Sequence, residues 1–273
     1  MKAVLESRNC RRTYSLWRMT KTVNFSLHSQ FLSLVQPPPF LSLKNEYLTM
    51  TRRIVALNNH GVECLHFGRF REAILSFRHA IECIKYATEL TGGMQRTHGA
   101  VAQEAFAIGR IPIPCVDDAT AHAISPHNTQ DVYRCAFLLP KTYVEPTASL
   151  DSSTVVIYNL ALAHHLAGLS GGEESEMHLK EAFRHYDLAF ALFKNRWECS
   201  SKLLPLLLGV LSNLAHICAH FYEVPKVHYC LDMMKIVLDW RFASYLTEAD
   251  EDFFYLATSM SSESICSAPA AAA

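Results

Sequence analysis

Three asparagines recur in one local setting along this 273-residue chain. Asn59, Asn159 and Asn213 each stand two positions before a small residue, Gly61, Ala161 and Ala215. A carboxamide donates and accepts at once, and a peptide main chain offers a donor and an acceptor at every residue, so amides repeated along one surface can hold an extended peptide. The competing use is structural, each amide tying a neighbouring helix end or loop, because a polar group among packed helices needs some partner. Fourteen histidines raise metal chemistry next. His216 and His220 are one helical turn apart, and His164 and His165 lie at the matching height of an earlier segment. Two imidazoles can ligate zinc, but a site needs at least a third ligand. The stretch HICAH lacks the glutamate of HExxH, and with it the usual general base. Groove polarity or helix packing is the simpler role for His164 and His216, and neither a metal nor a cofactor is expected. Glu248, Asp250, Glu251 and Asp252 suggest calcium only superficially, since no glycine-centred binding loop follows, and they read as a solvated face. Phosphate-binding glycine loops and GxSxG nucleophile motifs are absent from the sequence, so no catalytic residue is assigned.

The elements that must carry these side chains are amphipathic helices. Residues 54–84 read IVALNNHGVECLHFGRFREAILSFRHAIECI and split into two helical segments about a turn. Leu57, Val62, Cys64, Leu65 and Phe67 fall near helical spacing in the first. Gly61 lies inside it, where glycine is disfavoured unless another element packs closely. Gly68 supplies a stop signal, and Ala73, Ile74, Phe77, Ala80, Ile81 and Ile84 then form one apolar stripe. Small residues against large ones predict two antiparallel helices in tight contact.

This pattern resembles the tetratricopeptide repeat, a helix–turn–helix unit of about 34 residues. Gly61, Gly68, Phe70, Ala73, Phe77 and Ala80 carry the resemblance, while Lys85 replaces the usual closing proline. A second unit aligns Ala161 with Gly61, Gly168 with Gly68, Ala182 with Ala73, Tyr186 with Phe77 and Ala189 with Ala80, with an insertion in its turn. A third keeps Ala215 but has Val227, Leu231 and Met234 in its second helix and Pro225 in its turn. The resemblance implies that Asn59, Asn159 and Asn213 line the concave groove of the stack, where some relatives use an asparagine ladder to bind a peptide main chain. The basic residues with which chaperone-binding relatives clamp a terminal carboxylate are missing, Asn58 and Val155 standing at two of those positions.

Composition bounds the rest. A net charge of −1 argues against nucleic acid as the main partner. No apolar run approaches the roughly 20 residues of a membrane span. The nine cysteines are scattered with no CxxC pair, which fits a reducing compartment and small core hydrophobes. Residues 1–49 form a basic leader, acid-poor and closed by Pro37, Pro38 and Pro39, read as an organelle transit segment, as a disordered tail, or as untranslated sequence ahead of a start at Met50. Residues 94–150 lose the helical period; runs at 106–114 and 132–139 have strand character and are expected to pair, with prolines confining them to edge positions.

The expected fold is therefore all-α: an α-solenoid of stacked antiparallel helical hairpins over residues 50–258, with repeats near 54–90, 154–194 and 203–240, a partly extended two-stranded insertion, and a disordered tail at 259–273. The expected role is a non-catalytic, intracellular, cytoplasmic adaptor that binds a peptide or protein in the groove through Asn59, Asn159, Asn213, His164 and His216. The alternative is an enzyme or metal-binding protein with its site in the insertion or on the histidine-rich face. Self-association is a further expectation if Met233, Met234 and Val237 of the third unit form an uncovered apolar face.

Overall fold

Small residues decide how the first helical pair closes. In the computed structural model, which describes residues 40–91, 108–114, 132–140, 149–194, 203–239 and 246–264, the pair is α1 (Phe40–His66) and α2 (Phe70–Thr91). A β-carbon on Gly61 would stand 2.5 Å from Cε1 of Phe77, so the glycine is the socket for that ring. Gly68 adopts φ 69° between the helices. Its N–H donates to Leu65 O at 3.0 Å, and the next N–H, of Arg69, donates to Cys64 O at 2.9 Å. That double bond pattern ends a helix on a left-handed residue, which glycine adopts without a β-carbon penalty.

The second pair is α3 (Ser149–Leu169) and α4 (Ser175–Lys194), the third α5 (Leu204–His220) and α6 (Val224–Asp239), and α7 (Glu248–Ser264) follows. From α1 to α6 each helix packs on its chain neighbour, and α7 packs on α5 and α6. The second pair turns differently from the sequence alignment. Gly168 is not its stop: α3 runs past it to Leu169, and the glycine instead admits Leu179, whose Cγ would lie 2.7 Å from an added β-carbon. Gly171 (φ 82°) and Gly172 (φ 117°) make the turn. The third pair repeats the first pair's helix stop, with Tyr222 at φ 57° in the glycine position and Glu223 N donating to Cys218 O at 2.8 Å.

The strand-like runs do pair. Strand β1 (Gly109–Pro112) is antiparallel to β2 (Cys135–Leu138), with Gly109 opposite Leu138 and Ile111 opposite Ala136. The fold is thus mostly helical with one small sheet. Its core is continuous, running from Ile54 and Phe77 through Tyr158 and Tyr186 to Met234 and Phe254.

Several boundaries shift. Helix α1 begins at Phe40, inside the stretch assigned to the leader, and α7 reaches Ser264, beyond the start assigned to the tail. Residues 1–39 and the histidine-bearing loop at 117–128 lie outside the described residues. Of the three residues expected to form an uncovered apolar face on the third unit, Met234 and Val237 are buried in the core and Met233 is half-buried against it. Among the described residues no helix is long and apolar enough to cross a membrane.

Candidate functional site

The asparagines predicted to face one groove meet one extended segment, and it belongs to the chain itself. Asn59 on α1 accepts from Leu139 N at 2.9 Å and donates to Leu139 O at 2.9 Å. Asn159 on α3 accepts from Phe137 N at 3.0 Å and donates to Phe137 O at 2.7 Å. Asn213 on α5 accepts from Tyr133 N at 2.8 Å and donates to Tyr133 O at 3.1 Å. Each amide therefore treats one residue as a neighbouring strand would, taking its N–H and supplying its C=O.

The spacing follows from strand geometry. Residues 133, 137 and 139 share parity, so their N–H and C=O groups point to one edge of the strand. The even residues face the other edge, where Ile113 N donates to Arg134 O at 2.7 Å and β1 continues the ladder. β2 is thus a middle strand whose second neighbour is a row of side-chain amides. Six residue steps at about 3.3 Å span about 20 Å, four of them between the α5 and α3 rungs and two between the α3 and α1 rungs. The segment runs opposite to the order of the pairs, its end on α1 and its beginning on α5.

Side chains of the segment occupy separate seats. Tyr133 lies over Gly209, where an added β-carbon would approach its Cδ1 to 2.7 Å. The Tyr133 ring packs on Phe253 and Phe254 with centroids 5.3 and 4.7 Å away. Phe137 meets Tyr158 edge to face at 5.2 Å. Leu139 is buried as well.

One end of the segment is clasped by α7. Asp250 accepts from the Tyr133 hydroxyl at 2.7 Å, from Arg110 of β1, and from the Thr247 main chain at 3.0 Å and hydroxyl at 2.6 Å. Thr247 Oγ1 in turn accepts from Asp250 N at 3.2 Å, a reciprocal cap on the start of α7. Burial works to raise the Asp250 carboxyl, but hydrogen bonds from Thr247 and Tyr133 and the Arg110 charge outweigh it and hold the group below the usual range. The acidic run is therefore not a solvated face at this position; Asp250 is buried because it carries the cap and the clasp together.

The histidines sit deeper than a groove lining. His164 Nδ1 lies 2.9 Å from His178 Nδ1, and His165 Nε2 lies 3.0 Å from His216 Nδ1. His164 and His165 are fully buried, and His164 Nε2 and His165 Nδ1 find no hydrogen-bond partner. Burial, with His185 and His178 nearby, pushes His164 down to about 3; burial, with His220 and Arg134 nearby, pushes His216 down to about 4. His165 is pushed well below its ordinary value by burial and His216. The rings of His164, His165 and His216 are neutral at neutral pH. Among the described residues His164 and His216 show no hydrogen bond to β2 and pair instead with His178 and His165. Among the described residues no three His, Cys, Asp or Glu side chains gather as metal ligands.

Sequence reasoning missed Asn58, read only as the absence of a basic clamp. It donates to Phe137 O at 3.0 Å and accepts from Asn159 at 2.9 Å, so it braces the central rung. The doubled Asn58–Asn59 was the available signal, since two adjacent amides on a packed helix need two sets of partners. Gly209 and Asp250 gave no local signal, because their roles exist only where Tyr133 arrives.

Comparison with family models, with curated proteins and with solved structures finds no match for this chain.

Proposed function

We propose that this chain is a non-catalytic protein-interaction adaptor, a tetratricopeptide-like stack whose asparagine-lined groove binds an extended protein segment. One observation carries the reading: Asn59, Asn159 and Asn213, on the first helices of three successive pairs, each bind both main-chain groups of a single extended residue. Such a row reads backbone without regard to sequence and works on a bound peptide as it does on the chain's own segment. The socket of Gly61 for Phe77 and the unbroken series of helix contacts support the repeat architecture.

The test is affinity capture with the full chain and with a variant carrying Asn59, Asn159 and Asn213→Ala, its helicity verified by circular dichroism. The reading expects a partner that the wild type retains, that the variant loses, and whose cross-linked segment maps to the groove. Retention of the same partner by the variant at equal yield overturns it.

A further inference from the structure

We propose that segment 132–139 is a resident ligand of the groove, exchangeable for a partner protein's extended segment bearing an aromatic residue, a second aromatic four positions on, and an aliphatic two further. The proposal deepens the adaptor reading and rests on it.

The geometry separates what is general from what is selective. From the segment the asparagine rungs take only main-chain hydrogen bonds, so any extended segment without proline at the rung positions satisfies them. Selection comes from the three seats at the same rungs. The first takes a ring over Gly209, against Phe253 and Phe254, and offers the Asp250 carboxylate to a hydroxyl, so tyrosine fits it best. The second offers the Tyr158 edge to an aromatic ring, and the third encloses an aliphatic side chain.

Three features favour replacement over addition. Helices α1 to α6 pack on one another directly, so their mutual contacts do not run through the strands. A partner strand cannot simply extend the sheet, because Pro112 in β1 has no N–H to give, and proline on a sheet edge blocks further pairing. Among the described residues the segment's side-chain bond to a charged group is at its beginning, where Tyr133 donates to Asp250, which Arg110 of β1 also binds. A tethered ligand competes at an effective concentration of about millimolar, so the intact chain excludes weak peptides and admits those that match all three seats.

The test uses the full chain and a labelled synthetic peptide of residues 130–141, with serine in place of Cys135. Fluorescence anisotropy compares the wild type with Tyr133→Ala/Phe137→Ala, which empties two seats and leaves the groove intact. The double variant should bind the peptide at least tenfold more tightly than the wild type. Adding Asn159→Ala or Gly209→Ala should remove at least tenfold of that affinity. Absence of binding by a folded double variant, or binding indifferent to Asn159 and Gly209, overturns the proposal. Should the double variant not fold, native-state hydrogen exchange on the wild type decides. The amides of Tyr133, Phe137 and Leu139 should exchange at least a hundredfold faster than the slowest in α3; equal rates mean the segment leaves only on global unfolding, and the proposal fails. The two readings fail differently. A groove-dependent partner bound while those amides stay protected refutes exchange alone. Peptide entry without any partner lost from the asparagine variant refutes the adaptor reading alone.

Discussion

Replacing Asn159 with alanine removes the central rung and leaves its partners in place. Phe137 N–H loses its acceptor at 3.0 Å, and Asn58 Oδ1 loses its donor at 2.9 Å, while Phe137 O keeps Asn58 Nδ2 at 3.0 Å. Asn58 and Asn159 are 0 % exposed and Phe137 is 2 % exposed, so water does not substitute without rearrangement. Each orphaned buried group costs about 1–3 kcal/mol, which gives a loss of about 2–6 kcal/mol for the two. At about 2–4 °C per kcal/mol for a chain of this size, the melting temperature should fall on the order of 10 °C. Asn59 supplies the internal control. Its two bonds to Leu139 are equivalent in kind, and Leu139 is 1 % exposed, but Asn59 is itself half-buried, so truncating it opens the rung to water that takes over part of the pairing, and Asn59→Ala should cost about 1–2 kcal/mol. Urea unfolding of both full-length variants, followed by far-ultraviolet circular dichroism, measures the difference. An unchanged m-value ensures that stability and not compactness has moved. A loss below about 1 kcal/mol for Asn159→Ala, or equal losses for the two variants, refutes the rung as a buried main-chain reader.

Three further outcomes follow from the same structure. Gly61→Ala places a β-carbon 2.5 Å from Phe77 Cε1 and should cost about 1–3 kcal/mol, partly restored by Phe77→Leu, which thermal denaturation reads directly. Tyr222 is 89 % exposed at φ 57°, so Tyr222→Gly relieves a left-handed strain without losing packing; urea unfolding should show a gain of about 0.5–1 kcal/mol, and a loss would mean that the side chain has a partner. His164, His165 and His216 have folded pKa values below the unfolded value of about 6.5, so the unfolded chain takes up protons first as pH falls. Stability should hold above about pH 6.5 and decline from there toward about 4, where His216 titrates. His165→Leu/His216→Leu removes both members of one pair and should flatten much of that decline; superimposable pH profiles for variant and wild type count against it.

The amino-acid sequence alone determined the helical pairs, because their information is local. The stop at Gly68 is bonded within two turns of helix, and the stripe at Ala73, Phe77 and Ala80 meets a partner helix that lies just across that stop in the chain. The apolar run at 132–139, with its β-branched and aromatic residues, likewise announced a strand, and the repeated offset of asparagine from a small residue announced a common face. Tertiary structure decided what that face holds. The rungs join residues 80, 22 and 80 positions apart in the chain, and the clasp joins Tyr133 to Asp250 across 117. No local pattern encodes such pairings. An amide can satisfy a loop or a foreign peptide with the same atoms, and only the path of the chain selects which one arrives. Asp250 shows the same division: as sequence it is one acid among four, and it becomes a buried clasp only because α7 carries it to the hydroxyl of Tyr133.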